Sequence, residues 1–279
     1  MEVYSSAYSR LGRLIFTVFS AGMLIFLMLP ILVMAPLSFN EGSFLSYPLS
    51  GLSLRWYETF FRSPDWINAL RNSFIVAPAA TAVATALGTL AAVGLSRGEF
   101  RGKAFVMAVL ISPMVAPVVI VAVGMYFFFS QLGLINSYFG LVLAHAALGV
   151  PFVVITVNAT LQGYDHNLSR AAASLGASPL LSFRKVMLPL IAPGVAAGAL
   201  FAFATSFDEV VVTLFLASPA QRTLPMQMFG GIRENLDPTI AAAATLMISA
   251  ALLLLLVMEW LRGRGEKLRI AKRVTGRPG

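Results

Sequence analysis

Six stretches of the chain are each long and apolar enough to cross a lipid bilayer as a helix. A membrane-spanning helix needs about 20 consecutive, predominantly apolar residues, and all but the fifth of these stretches lack acidic residues well inside them. The sequence therefore predicts an all-α integral membrane protein with six transmembrane helices. The stretches are 14–36, 69–95, 104–129, 137–160, 191–217 and 239–260.

The composition agrees with lipid as the solvent, since 58% of the residues are hydrophobic and 11% are charged, against roughly 25% charged in a soluble domain. The chain has no cysteine and only two histidines, so neither disulfides nor a metal site is expected. The net charge of +8 comes from basic residues at the ends of the apolar stretches. Nucleic-acid binding is not expected, because these residues are not interleaved with stacking aromatics on a polar face.

The distribution of Lys and Arg predicts the orientation of the chain. With six spans, both termini share one side of the membrane with the loops 96–103 and 161–190. Of the 20 Lys and Arg residues, 15 lie on this side and 5 on the other, so the positive-inside rule places both termini in the cytoplasm. The first stretch is longer than the roughly 7–15-residue apolar region of a signal peptide and is expected to be retained as a span. The expected organisation is a cytoplasmic N-terminus at 1–13, a six-helix region at 14–260 with its loop at 161–190, and a basic cytoplasmic tail at 261–279.

The 161–190 loop carries start and stop signals for short helices. Alanines and leucines are compatible with a helix up to Leu175, and Gly176 fits its end. Ser178 followed by Pro179 is typical of a helix start, because serine caps free amide groups and proline suits the first helical position. The sequence predicts two short helices joined at a glycine turn, which would offer a surface to a soluble partner.

The loop also resembles a known motif. Ala171-Ala172-x-x-Leu175-Gly176-Ala177, followed by Leu188-Pro189, is similar to the EAA loop of type I ATP-binding-cassette (ABC) importer permeases. The resemblance implies the MetI-like permease architecture. It also implies that the first short helix is a coupling helix, which sits in a groove of a cytoplasmic ATPase. Arg170 stands where the family usually has glutamate, so the resemblance leaves the ionic contact open and an acidic residue on the ATPase is expected instead.

Further segments are similar to the spermidine/putrescine branch of these permeases. The resemblance implies a non-catalytic subunit in the bacterial cytoplasmic (inner) membrane that passes a polyamine, with another small solute such as an amino-acid or opine-like compound as the alternative. The segments are Leu54-Arg-Trp-Tyr57, Ala69-Leu-Arg-Asn-Ser73, Ser206-Phe-Asp-Glu-Val-Val-Val-Thr213 and Arg222-Thr-Leu-Pro225.

The expected partners follow from the same resemblance. No stretch fits G-x-x-x-x-G-K-[ST], so ATP and Mg²⁺ are expected on a partner ABC ATPase dimer and no cofactor on this chain. A second permease, either homologous or an identical copy, and a periplasmic solute-binding protein are also implied. A membrane enzyme would need clustered reactive side chains that the spans lack. A stand-alone channel would not explain the Leu-Gly-Ala loop.

An acidic pair, Asp208 and Glu209, lies inside the fifth stretch after Thr205 and Ser206. A charge at the centre of a span costs about 2.5–3.5 kcal/mol on insertion scales, so such residues usually face a watery cavity or a partner. Asp208 is 17 residues past Ile191, or about 26 Å along a helix, which places the pair in the predicted outer half. These four residues are candidates for a cation path, and the alternative is an interfacial pair hydrated by solvent or matched to Arg71 or Arg222.

Tyr126 is the aromatic candidate for the same path, because aromatic rings bind ammonium groups through cation–π contacts and pack on methylenes. It opens the run Tyr126-Phe-Phe-Phe129 at the predicted outer end of the third span. The alternative for this run is an aromatic belt at the membrane interface.

Overall fold

The computed structural model describes residues 7–98, 100–234, 237–254 and 256. In this part of the chain the regular structure is helical, apart from one isolated bridge between Asn40 and Leu52. The α-helices are α1 (Ala7–Leu37), α2 (Arg55–Arg62), α3 (Pro64–Arg97), α4 (Lys103–Val115), α5 (Val118–Gln131), α6 (Tyr138–Leu161), α7 (His166–Ser174), α8 (Pro179–Ser182), α9 (Leu188–Phe207), α10 (Val211–Leu216), α11 (Leu224–Glu234) and α12 (Thr239–Leu254). A π turn (Phe183–Met187) joins α8 to α9, and a 3₁₀ turn (Pro219–Gln221) precedes α11.

Four of the described helices are long and apolar enough to cross a membrane: Gly12–Leu37, Pro64–Arg97, Tyr138–Leu161 and Pro179–Phe207. The bent pair α4 and α5 makes a fifth if it is counted as one span. For the sixth predicted stretch, 239–260, the structure describes only Thr239–Leu254 as a helix, and the remainder lies outside the described residues. The count of six spans and the cytoplasmic position of both termini stay predictions.

The prediction of one helix over 104–129 is wrong. The chain bends by 107° between α4 and α5. Ala116 is extended, at φ −70° and ψ 143°, and Pro117 precedes the first residue of α5. Proline disfavours the helical conformation of the residue before it and has no N–H for a hydrogen bond. Pro117 thus favours a helix end at this point, which fits the extended conformation of Ala116.

The prediction of one helix over 191–217 is also wrong. The helix begins earlier, at Pro179, and runs through the π turn to Phe207, after which Asp208 ends it. The chain is helical again only from Val211. The acidic pair therefore lies in a break between α9 and α10, and the helical spacing of about 100° per residue does not apply to it.

The chain divides into two compact units. One comprises 1–62 with 231–250, and the other comprises 63–230 with 251–279. In the first unit, the Trp56 indole N–H donates to the Asn40 carbonyl at 2.7 Å, and the hydroxyl groups of Ser38 and Tyr57 are 2.7 Å apart. These bonds fix α2 against the turn that follows α1.

In the second unit, α3, α6 and α9 pack through small residues. A Cβ atom at Gly149 of α6 would lie 3.0 Å from the Cβ of Ala202 on α9 and 3.2 Å from that of Ala84 on α3. Close contact of this kind is the usual way for helices to associate in lipid, where apolar burial gives little driving force between them. The three helices form the scaffold that carries both candidate sites.

Candidate functional site: a docking segment and a break in a membrane helix

The first candidate site is the segment between α6 and α9. The Asp165 carboxylate accepts the Asn167 N–H at 2.9 Å and caps the start of α7. At the other end, the Gly176 N–H donates to the Ala173 carbonyl at 2.9 Å and the Ala177 N–H donates to the Ala172 carbonyl at 3.0 Å. This pair of bonds is a Schellman motif, which satisfies the last carbonyls of a helix.

Gly176 makes this ending possible. Its φ is +82°, a left-handed conformation that costs a residue with a Cβ about 1–2 kcal/mol. Two residues later, the Ser178 hydroxyl accepts the Leu181 N–H at 3.3 Å, and Pro179 takes the first position of α8. The prediction of a short helix that ends at a glycine turn is confirmed. The predicted second short helix does start at Pro179, but it is the first part of a longer helix that runs through the π turn to Phe207.

The segment exposes apolar side chains. Leu175 is 89% exposed and Leu180 is 65% exposed, with Leu168 and Leu181 also exposed. Arg170 and Ala171 are exposed on α7, while Ala172 and Ala177 are partly buried. The Arg170 guanidinium donates to the Asn167 side-chain oxygen at 3.5 Å. The exposed surface of the segment therefore combines apolar leucine side chains with the cationic groups of Arg170, Arg184 and Lys185.

The inner face of the segment is tied to the helix bundle. Tyr164 and Met187 are buried in one cluster with Ile191 of α9. The Tyr164 hydroxyl lies 2.6 Å from the Ser169 hydroxyl of α7. Leu188 packs against the same cluster, whereas Pro189 is exposed. These contacts connect α7 to side chains that pack on α9.

The second candidate site is the break between α9 and α10. Asp208 is exposed, and within the described residues its carboxylate forms no ion pair with Arg71 or Arg222 and accepts no hydrogen bond. Glu209 is partly buried, and its side chain accepts the Val212 N–H at 2.8 Å, so it caps the start of α10. The two carboxylates thus differ: that of Asp208 is accessible to solvent, whereas that of Glu209 is hydrogen-bonded to the backbone of α10.

The other predicted path residues do not all join this pair. Thr205 is partly buried on α9. Ser206 is buried, and its hydroxyl is engaged by His145. The Tyr126 ring packs edge-on against Phe127 with centroids 5.7 Å apart, and within the described residues no hydrogen bond joins it to Asp208 or Glu209. The structure brings together Thr205, Ser206, Asp208 and Glu209 only as chain neighbours.

Sequence reasoning missed His145, which bridges the break. Its Nδ1 lies 2.8 Å from the Ser206 hydroxyl of α9, and its Nε2 lies 3.0 Å from the Thr213 hydroxyl of α10. All three residues are buried. A lone histidine inside an apolar stretch was the one available signal, since an ionisable residue within a span marks a functional site by default.

Sequence reasoning also missed Asn72 of α3. Its side-chain N–H₂ donates to the carbonyls of Ala220 and Arg222 at 2.9 and 2.8 Å, and its oxygen accepts the Tyr138 hydroxyl at 2.8 Å. The loop after α10 is thereby held against the third turn of α3 and the first turn of α6. A polar cavity of about 130 Å³ adjoins these bonds, lined by Asp65, Asn68, Ala69, Asn72, Pro219, Ala220, Arg222 and Gln227.

A scaffold of four or five long apolar helices, with an exposed loop segment and a charged helix break, is typical of a multi-pass membrane protein. Residues 84–267, more than half of the chain, match the family model described as "Binding-protein-dependent transport system inner membrane component". The chain belongs to this family and is a multi-pass protein of the bacterial inner membrane.

Individual relatives of the chain support the same family assignment. The chain is 32% identical to the spermidine/putrescine transport system permease protein PotC of Escherichia coli (strain K12), over 89% of this chain and 94% of the relative. It is 33% identical to the putrescine transport system permease protein PotI of the same strain, over 88% and 89%. A crystal structure of a bacterial alginate ABC transporter, in complex with an alginate pentasaccharide-bound periplasmic protein, has a chain of the same fold. Its TM-score is 0.70 and its identity 18%, covering 92% of this chain and 95% of that one.

Proposed function

We propose that this chain is the transmembrane permease subunit of an ABC importer that passes spermidine or putrescine from a periplasmic binding protein into the cytoplasm. The observation that carries the proposal is the 32–33% identity to permeases named for these substrates, over almost nine tenths of the chain. The fold alone does not choose the substrate, because a chain of the same fold serves a transporter of alginate.

In this proposal the α7 segment is the docking site for the ATPase. Its exposed Leu175 and Leu180 give an apolar surface, and Arg170 provides a charge for an acidic partner residue. The predicted topology puts both termini, the segment and the tail 261–279 in the cytoplasm. A partner ATPase dimer then binds Mg²⁺ and hydrolyses ATP, and a second permease subunit completes the transmembrane part of the importer.

The open carboxylate of Asp208 supports a cationic substrate. A carboxylate about 4 Å from an ammonium gains about 4 kcal/mol at an effective dielectric near 20. This attraction is moderate, as transport requires, because a site that binds too tightly does not release its solute. Asp208 is exposed at the break, where a solute can reach it, whereas Glu209 is engaged with the start of α10.

The test is transport by the whole complex. The chain is reconstituted into proteoliposomes with the ATPase, the second permease and the binding protein of its own genome, and uptake of labelled putrescine and spermidine is measured. ATP-dependent uptake is expected, with none when a non-hydrolysable analogue replaces ATP. Uptake without ATP would indicate a channel. ATP-dependent uptake of amino-acid or opine-like solutes, without polyamines, would overturn the substrate assignment.

A further inference from the structure

We propose that His145 is a positioning residue for the acidic break: it fixes the geometry at which Asp208 and Glu209 are presented, and does not itself meet the solute. This inference rests on the proposed function, because it assigns a role at the cation path. His145 lies on α6, and the residues that it joins, Ser206 and Thr213, lie on either side of the break.

The burial of the three groups is the first argument. The His145 and Thr213 side chains are fully buried and Ser206 is 4% exposed. A buried polar group without a partner costs about 1–3 kcal/mol, so these groups gain most when all three are paired. The imidazole has the reach and the two ring nitrogens to pair with hydroxyls on both flanks.

The hydrogen bonds form a continuous chain that ends on the acidic pair. The Thr213 hydroxyl donates to the Glu209 carbonyl at 3.3 Å. Because a neutral imidazole has one donor and one acceptor nitrogen, one tautomer satisfies every group. In this tautomer, Nε2–H donates to Thr213 and Nδ1 accepts from Ser206.

The break has no helical ladder of its own to hold it. Asp208 ends α9, and the next helical residue is Val211. In addition to the connecting backbone, His145 links α9 and α10 across this gap through its contacts with Ser206 and Thr213. Two hydrogen bonds also join Glu209 to α10: its carbonyl accepts the Thr213 hydroxyl, and its side chain accepts the Val212 N–H.

Val212 and Leu216 of α10 also pack in a buried cluster with Ala122 of α5, so α10 stays in place when the bridge is lost. What the imidazole bridge adds is the polar link across the gap, which fixes the local backbone and with it the direction of the Asp208 carboxylate.

The matched variants are Thr213→Val, which keeps the shape and removes the hydroxyl, and Thr213→Ser, which keeps the hydroxyl. In the reconstituted complex, Thr213→Val is expected to raise the apparent KM for putrescine about fivefold, the equivalent of one hydrogen bond of about 1 kcal/mol. Thr213→Ser is expected to stay near the parental KM. His145→Leu should act in the same direction as Thr213→Val.

A double-mutant cycle with Asp208→Asn separates positioning from general stability. If His145 and Thr213 act through Asp208, Thr213→Val adds no further rise in KM once Asp208 is replaced. Independent, multiplying effects would overturn the inference, as would a Thr213→Ser variant as impaired as Thr213→Val. A loss of assembled complex at unchanged KM would also overturn it. Failure of the proposed function itself is distinguishable, because the parental complex would then not take up putrescine.

Discussion

Gly198 of α9 lies against Val153 of α6 so closely that a Cβ atom at Gly198 would be 2.8 Å from the Val153 Cα. The same atom would be 2.5 Å from the Thr156 hydroxyl. Because one of these neighbours is a backbone atom in the centre of a helix, it cannot move aside without displacing α6. The helix contact therefore depends on glycine at this position.

Replacement of Gly198 by alanine is expected to destabilise the protein by about 1–3 kcal/mol, the usual cost of overpacking a tight contact. The matched control is Gly124→Ala on α5, where a new Cβ meets nothing within 4 Å and the better helix propensity of alanine should be neutral or favourable. Thermal unfolding of the purified complex in detergent measures both. Equal melting temperatures for the two variants would contradict the contact.

Gly176→Val is expected to uncouple ATP hydrolysis from transport. Gly176 has a φ of +82° and open space around it, so valine strains the backbone without a packing clash and disturbs only the end of α7. The measurements are the ratio of putrescine uptake to ATP hydrolysis and the amount of protein inserted. Gly163→Ala in the same loop is the control, since its Cβ would be 3.8 Å from the Thr160 carbonyl oxygen. Normal coupling in Gly176→Val would remove the docking assignment.

Arg170→Glu is expected to weaken assembly with the ATPase, since we predict an acidic partner for this exposed guanidinium. Truncating one partner of a desolvated charge pair costs about 2–5 kcal/mol, whereas a rim charge costs far less. Pull-down of the ATPase measures assembly, and a compensating basic change on the partner should restore it. The control is Arg184→Glu, another exposed arginine in the loop. Unchanged assembly in Arg170→Glu would leave Arg170 as a solvated charge.

Asp208→Asn is expected to lower polyamine uptake more than it lowers assembly with the ATPase, because it keeps the size and removes the charge. Asp208→Glu keeps the charge and is the matched control. Glu209→Gln should have a smaller effect, since an amide oxygen can still accept the Val212 N–H. Initial rates of putrescine and spermidine uptake decide between these outcomes. An Asn variant that transports at the parental rate would exclude Asp208 from the path.

Asn72→Ala is expected to loosen the loop 217–224, because it removes three hydrogen bonds at once. Hydrogen bonds in membrane proteins are each worth about 0.6 kcal/mol on average, so a loss of about 2 kcal/mol is expected. Tyr138→Phe removes one of the three and should cost about a third as much. Limited proteolysis of this loop reports the change, and equal protection in parent and Asn72→Ala would contradict it.

The features that could be predicted from the sequence are those fixed by local chemistry. Gly176 and the pair Ser178-Pro179 carry their own backbone preferences, so the end of α7 and the start of the next helix follow from the residues themselves. Family membership could also be predicted, because the Leu175-Gly176-Ala177 motif has a defined spacing to Leu188-Pro189.

The bend after α4 and the break after α9 could not be predicted from hydrophobicity, because both lie within continuous apolar stretches. Pro113 is accommodated inside α4 while Pro117 ends up outside a helix, so proline alone does not decide the outcome. His145 contacts two residues, Ser206 and Thr213, that lie 61 and 68 positions further along the chain. A single sequence carries no signal for that pairing.

The uninterrupted helix from Pro179 to Phe207 has a mechanical consequence. Its 29 residues make a rod about 43 Å long at 1.5 Å per residue, with the α7 segment at one end and Asp208 directly after the other. A tilt of about 10° about one end of such a rod moves its far end by about 7 Å, more than the width of an ammonium group. Under the proposed function, a small angular motion at the α7 end of this helix would be amplified into a displacement large enough to open or close the surroundings of the acidic residue.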